Sequence, residues 1–470
     1  MIRFILILSV VLVFAAHSQQ GEMRSWTSTS GKTLEARLVK DNDGIVTLAR
    51  ASGSTIRIRR TALSRDDLAF LDAAPTPRAT RPPRSTAAAD WPTWRGRNRD
   101  GKSPDVGLLK SWPEGGPSLL WRNSDIGDGY SSVTVSGGRI YSSGVSDGRL
   151  ELRALDMDGN PVWKVDHGPS WTNSHPGARA TPTIDGDKLY LLSGKGRLVC
   201  YNTRDGKEVW DVDMADFGAQ PDGWGYTESV LALSDAIIVS PGQRYSMVAL
   251  DKRSGRPKWR SEGNGAKAQY SSSILANHRG VPMLINGNKG GIYAVNPRNG
   301  STLWTNSFSE GNTANCPTPV YSDGYVFWSN GYGQGGICLQ VNARGGSASV
   351  REAWRTRDLQ SHHGGYIVHD GHIYGNHKDG WTCLDLRSGD RKWFDRGVGK
   401  GSVTYADGML YTFGESGGRM GLVECKPEGF ESRGEFRVQG NGPSWAHPVV
   451  IGGRLYLRYS SHLYCYDIRG

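Results

Sequence analysis

Along most of the chain apolar residues alternate with polar ones in short runs, and Asp-Gly or Gly-Gly pairs split the runs. Asp185-Gly186, Asp323-Gly324, Asp370-Gly371 and Asp407-Gly408 each sit between two such runs. Alternation with a period of two marks a strand with one buried face, and these dipeptides supply the positive φ angles of a tight hairpin. A second phrase follows each hairpin: a small residue, Asn or Asp two positions on, a Gly, and then a Trp. It reads Ala154, Asp156, Gly159, Trp163; then Cys200, Asn202, Gly206, Trp210; then Ala249, Asp251, Gly255, Trp259. It returns as Ala294, Asn296, Trp304 and as Cys383, Asp385, Gly389, Trp393. A period of roughly 40 to 50 residues with four strands per unit predicts an all-β chain folded as a β-propeller of four-stranded antiparallel blades.

Eight units are expected, beginning near Ser132, Arg179, Glu228, Ser271, Pro317, Gly365, Gly401 and Ala446. The last stops at Gly470 before any closing strand, whereas Leu119-Leu120-Trp121 ends in the right Trp and has no hairpin before it. That segment should complete the last blade and join N-terminal and C-terminal strands in one sheet, leaving no open edge. Each closing Trp is expected to be a structural rivet against the neighbouring blade, its indole N–H satisfied by backbone.

Upstream of residue 91 the pattern changes. Residues 1–18 carry Arg3, an apolar run from Phe4 to Ala16 and small residues at the end, which reads as a secretory signal too short to span a membrane. Residues 24–72 read as a separate small module of strands, closed by Ser64 and Asp67 in a capping pattern before a short helix. Residues 73–90, with Pro75, Pro77, Pro82 and Pro83, read as a semi-extended linker, and residues 91–470 hold the propeller.

The 63 Gly, 19 Tyr and 16 Trp among 470 residues suit strands and turns. The net charge is +10, and residues 1–90 carry 13 Lys or Arg against 8 Asp or Glu. A basic small module favours anionic partners, but export excludes nucleic acid as the natural one. Cys200, Cys383, Cys465 and Cys338 occupy the slot that holds Ala in other blades, too far apart around a ring for disulfides. Cys316 and Cys425 are left over, and nothing in the sequence pairs them.

The repeated phrase resembles that of the quinoprotein, or PQQ-like, propeller superfamily over about residues 91–470. The superfamily includes dye-linked alcohol and sugar dehydrogenases and an outer-membrane assembly lipoprotein, so the fold leaves both functions open. Residues 24–72 resemble the SLA-one homology domain, a small SH3-like barrel, through Trp26-Thr27 before Gly31, Gly44-Ile-Val46-Thr-Leu48 and the Leu63-Ser64 to Phe70-Leu71 end. That resemblance implies peptide or polymer recognition.

Loops entering the innermost strands converge on one end of the axis, where propellers hold ligands. They carry His175, Arg179, Trp224, Tyr226, Gln269, Tyr270, Asn315, His362, His363, Lys400, Trp445 and His447. Imidazoles, two cations and aromatics around one axis suit an anionic or sugar-like ligand. His175, His362, His363 and His447 show no helical or hairpin ligand spacing, so no metal set is expected.

A quinoprotein dehydrogenase would require Ca²⁺ and PQQ, a carboxylate base and in many cases adjacent cysteines. The chain has no adjacent Cys pair, and Asp222 and Glu228 are its obvious axial carboxylates, both read as solvent-facing. No catalytic residue is assigned, and no Gly-x-Ser-x-Gly or His-Glu-x-x-His motif occurs. The sequence reading is an exported, periplasmic or extracellular, monomeric scaffold that binds an envelope protein, peptide or polysaccharide. Its alternative is a calcium- and PQQ-dependent oxidoreductase of an alcohol or sugar.

Overall fold

The computed structural model describes residues 23–42, 44–52, 54–73 and 90–470. The signal expected at 1–18 and nearly all of the 73–90 linker lie outside the described residues. Contacts divide the chain into two compact units, Met1–Thr86 and Ala87–Gly470.

The first unit is a four-stranded antiparallel meander, Met23–Thr27, Thr33–Asn42, Ile45–Ala49 and Thr55–Arg59, followed by the helix Arg65–Ala73. Trp26, Ala36, Val46, Leu48, Leu63 and Leu71 form its core. Only half of the expected capping box forms. Ser64 Oγ accepts the Asp67 N–H, but the Asp67 carboxylate turns to the Thr27 N–H (2.6 Å) and to Arg24 (2.8 Å).

The second unit is a β-propeller of eight four-stranded antiparallel sheets. Blades 1 to 7 span residues 134–169, 183–213, 231–262, 274–306, 320–356, 366–395 and 401–437, each with its strands in sequence order. Blade 8 takes three strands from 449–467 and its fourth from Ser118–Asn123, with Cys465 opposite Trp121. The ring is therefore closed as the repeat requires.

The register explains the repeated phrase. The small residue lies directly across from the closing Trp in seven blades: Ala154 and Trp163, Cys200 and Trp210, Ala249 and Trp259, Ala294 and Trp304, Cys338 and Trp354, Cys383 and Trp393, Cys465 and Trp121. A larger side chain there would collide with the indole. Six indoles donate to a carbonyl of the next blade at 2.9–3.0 Å, as Trp121 does to Met157 and Trp210 to Lys252. The phrase's Gly lies flat on the preceding blade's indole: at Gly255 (φ +70°) a Cβ would fall 2.8 Å from Trp210, and at Gly300 2.5 Å from Trp259. All six cysteines are free thiols.

Two interfaces break the rule, each for a visible reason. Blade 5 replaces the docking turn by a long hairpin, Gly335–Arg344 and Ser347–Thr356, and the Trp304 indole N–H of blade 4 has no acceptor among the described residues. In blade 7 Gly434 stands where the Trp belongs. Trp112, from the segment leading into the ring, covers that glycine, donates its backbone N–H to Arg433 and packs on Tyr411 and Phe436 with ring centres 5.7 and 5.8 Å away.

The innermost strands are laced by hydroxyls: Ser132 N–H donates to Thr181, Thr181 N–H to Ser229 and Ser229 N–H to Ser272. Residues 91–103 cross the axis as a plug. Trp91 pairs with Val135 of blade 1, and Pro92 accepts from Ile184 of blade 2. Arg99 donates to Ser229 and Val230 in the loop entering blade 3, Trp94 to Thr318 near blade 5, Arg95 to Tyr366 of blade 6 and Ser103 to Tyr405 of blade 7. Among the described residues Arg95 and Arg99 are buried without a salt bridge and rely on carbonyl oxygens, so burial lowers both, Arg99 to about 10.

Candidate functional site

In an antiparallel meander the loop entering strand one and the hairpin joining strands two and three lie at the same end of the blade. At that end of the axis they enclose a cavity of about 290 Å³. Its wall holds Trp94, Tyr130, Trp224, Tyr270, Tyr332 and Trp445, together with His175, His362 and His363. Trp445 is the hub: its ring lies 4.2 Å from His363 in a stacked pair, 4.6 Å from Tyr130 and 5.1 Å from His175.

Seven residues singled out by sequence line this cavity: His175, Arg179, Trp224, Tyr270, His362, His363 and Trp445. Lys400 stands beside it, its Nζ 2.8 Å from His362 Nδ1 and 2.9 Å from Glu415. The other four are placed behind the wall, because their polar atoms are consumed in holding loops. Tyr226 donates to Pro241. Gln269 bridges Asn312 and Asn315. Asn315 is fully buried between Asn288, Ser309 and Asn312. His447 Nε2 meets the His363 carbonyl at 3.0 Å, and its ring packs on Trp94 at 4.6 Å.

The two carboxylates read as solvent-facing are not. Glu228 is buried beneath Ser240 and Ser273, and burial pushes it up to about 7. Asp222 is held by Lys289 and Gln269. The carboxylate that does line the cavity is Glu415; burial alone would raise it, but contacts with His363 and Lys400 outweigh that and hold it down to about 2. Burial, then the neighbouring His363 and Lys400, lowers His362 to about 3, and burial lowers His363. These two imidazoles are therefore neutral near pH 7, and the wall presents rings more than charge. Arg179 is already engaged, donating to Trp224 and Ser174 carbonyls.

Sequence reasoning missed Trp94, Tyr130, Cys316, Tyr332 and Glu415 as wall residues. Tyr332 and Glu415 come from hairpins joining strands two and three, which the meander brings to the same end as the entry loops. Trp94 comes from the plug, whose run of Trp91, Trp94, Arg95 and Arg99 immediately before the ring was the available signal. Cys316, which nothing in the sequence pairs, has its thiol beside His362 and His363, with one ligand atom from each of the three within 4.8 Å of the others.

Calcium takes roughly six to eight oxygen ligands, carboxylates first among them. The lining supplies one carboxylate, Glu415, already neutralised by Lys400, amid imidazoles, indoles and a thiol. This donor set does not fit a calcium–quinone pair.

The family model described as outer membrane protein assembly factor BamB, PQQ_2, matches residues 146–394. The quinoprotein alcohol dehydrogenase PedH of Pseudomonas putida is 27% identical over 225 residues, 44% of this chain and 33% of that protein. The chain thus spans about a third of the length of that curated relative. Among solved structures, BamB from Moraxella catarrhalis aligns with a TM-score of 0.56 at 14% identity, over 75% of this chain and 98% of that one. The quinohemoprotein alcohol dehydrogenase from Comamonas testosteroni aligns with a TM-score of 0.60 at 14% identity, over 81% of each. At such identities the likeness is one of fold. No described helix is long and apolar enough to cross a membrane.

Proposed function

The chain belongs to the PQQ_2 family, that of outer membrane protein assembly factor BamB, and from that premise we propose that it is an exported binding and assembly scaffold of the cell envelope. Its axial pocket takes a sugar-like ring by stacking. The observation that carries this reading is the lining itself: six aromatic rings and three histidines around about 290 Å³, with the single carboxylate tied to Lys400. Such a wall recognises a ring's face and excludes water, and it leaves no carboxylate free to act as a base.

The small unit is, on this reading, an SLA-one-type, SH3-like module for peptide or polymer recognition. Its Phe70 is exposed and carries the Arg24 guanidinium 3.7 Å over its ring, an apolar and cationic pair at the surface.

The second reading, a calcium- and PQQ-dependent oxidoreductase, draws on the PedH similarity and is opposed by the donor set. Tryptophan fluorescence of the full chain separates the two. Saturable quenching by envelope oligosaccharide, lost in Trp445→Ala, supports the scaffold. Saturable, calcium-dependent binding of one PQQ per chain would overturn it.

A further inference from the structure

We propose that Cys316, His362 and His363 bind one late transition-metal ion of the kind that takes thiolate and imidazole together, zinc(II) or copper(I), in the wall of the axial pocket. This goes beyond the scaffold reading and does not rest on it. Cys316 comes from the loop entering blade 5 and the adjacent His362 and His363 from the loop entering blade 6, and their ligand atoms lie within 4.8 Å of one another. Zinc bonds of about 2.0–2.3 Å bring tetrahedral ligand atoms to roughly 3.5 Å. The site therefore closes by up to about 1.3 Å, within the reach of side-chain rotation for three half-buried residues.

The backbone beneath is already fixed. Asn315 clamps the Cys316 loop through Asn288 and Ser309, and His447 clamps the other loop at the His363 carbonyl. His363 Nδ1 is buried without a hydrogen-bond partner among the described residues, 3.6 Å from the Glu415 carboxylate. That leaves Nε2 for the ion and gives a carboxylate–imidazole–metal relay, in which the outer carboxylate orients the ring and raises its basicity. Lys400, which meets His362 Nδ1, keeps Glu415 at 2.9 Å when that ring turns to an ion.

One thiol and two neutral imidazoles form a soft donor set, suited to zinc or copper(I) and unsuited to calcium or magnesium. On binding, the Cys316 proton leaves to solvent, so the thiolate and the ion's charge partly cancel inside the pocket. Three protein ligands leave a fourth position facing the cavity, open to water or to a donor atom on a bound molecule.

The test is titration of the reduced full chain with cobalt(II), a spectroscopic stand-in for zinc, without oxygen. The expected result is one ion per chain with a thiolate-to-cobalt charge-transfer band, displaced by zinc. Cys316→Ser should abolish the band, and His363→Ala should weaken binding at least about tenfold. Cys338→Ser, which alters a buried thiol opposite Trp354, should leave both unchanged. Circular dichroism and melting of each variant separate loss of ligand from loss of fold, and His362→Gln provides a second, milder removal of a donor. Competition with a copper(I) chelator then distinguishes copper(I) from zinc as the tighter ion. Absence of the band in the folded wild type, or a band that survives Cys316→Ser, overturns the proposal. Because no sugar or quinone is present, that failure is separate from failure of the scaffold reading.

Discussion

Six closing tryptophans meet a small residue across the strand and a carbonyl of the next blade, five of them also with a turn glycine against the indole, whereas the histidines, indoles, Cys316 and Glu415 of the axial wall do not recur from blade to blade. The docking turns join strands three and four and so lie at the opposite end of each blade from the pocket. One end is governed by repetition, because every interface poses the same packing problem. The other is composed of exceptions contributed singly by entry loops, hairpins and the plug. A substitution at the docking end should therefore cost stability and spare binding, and one in the pocket should do the reverse.

The largest expected effect comes from removing a rivet. Trp210→Ala should destabilise the propeller by about 3–5 kcal/mol in chemical denaturation, the usual cost of truncating a buried aromatic. Cobalt affinity should be unchanged. Trp112→Ala sharpens the comparison, because Trp112 lies outside the repeat yet covers Gly434 in the one blade without a closing Trp. It should cost a similar amount. A Trp210→Ala protein that melts normally but binds cobalt or oligosaccharide poorly would break the division between the two ends.

A smaller effect tests the turn. Gly255→Ala places a Cβ 2.8 Å from the Trp210 indole at φ +70°, and overpacking of this kind costs about 1–3 kcal/mol. Gly429, in the corresponding turn of blade 7, has open space around its would-be Cβ, because Phe430 rather than the glycine packs on Trp393. Gly429→Ala should stay within about 0.5 kcal/mol of wild type. Equal melting temperatures for the two variants would show that the glycine contact is incidental.

The same division explains what could be read from the chain. Blade number, hairpins, ring closure through Trp121 and the burial of Cys200, Cys338, Cys383 and Cys465 are repeated features, and repetition is visible in one sequence. Trp112 was invisible because it substitutes in space, not in sequence, for a residue missing some 320 positions away. In the pocket, seven wall residues were legible from their place in entry loops. Glu415 and Tyr332 were not, since nothing local marks which hairpin ends reach the axis. Asn315 and Gln269 carry the side chains of ligand contacts but are spent on holding loops, a distinction that only the hydrogen-bond network makes.

The most gradual expected effect, a slope with pH, separates the two ends. The docking turns hold carboxylates of their own, but hydrogen bonds from Asn160, Ser254 and Ser388 keep Asp156, Asp251 and Asp385 below the ordinary carboxylate range and so ionised from pH 4.5 to 7, whereas Glu228 is buried close to the plug and Ser273. Burial raises its carboxyl from an ordinary 4.5 to about 7 in the folded chain. Between those values the folded protein holds a proton that the unfolded chain has released, so this group's contribution is fully present below about pH 4.5. It is lost as pH rises through about 7. Glu228→Gln cannot titrate. Its stability relative to wild type should therefore move in the variant's favour across that window, by at most about 1.4 kcal/mol per pH unit, and level off above it. Urea denaturation of both proteins at several pH values reads the difference directly. Trp210→Ala, measured alongside, should be offset from wild type by a constant amount. A sloping offset for Trp210→Ala with a flat one for Glu228→Gln would mean that the rim, not the axis, carries the titrating group.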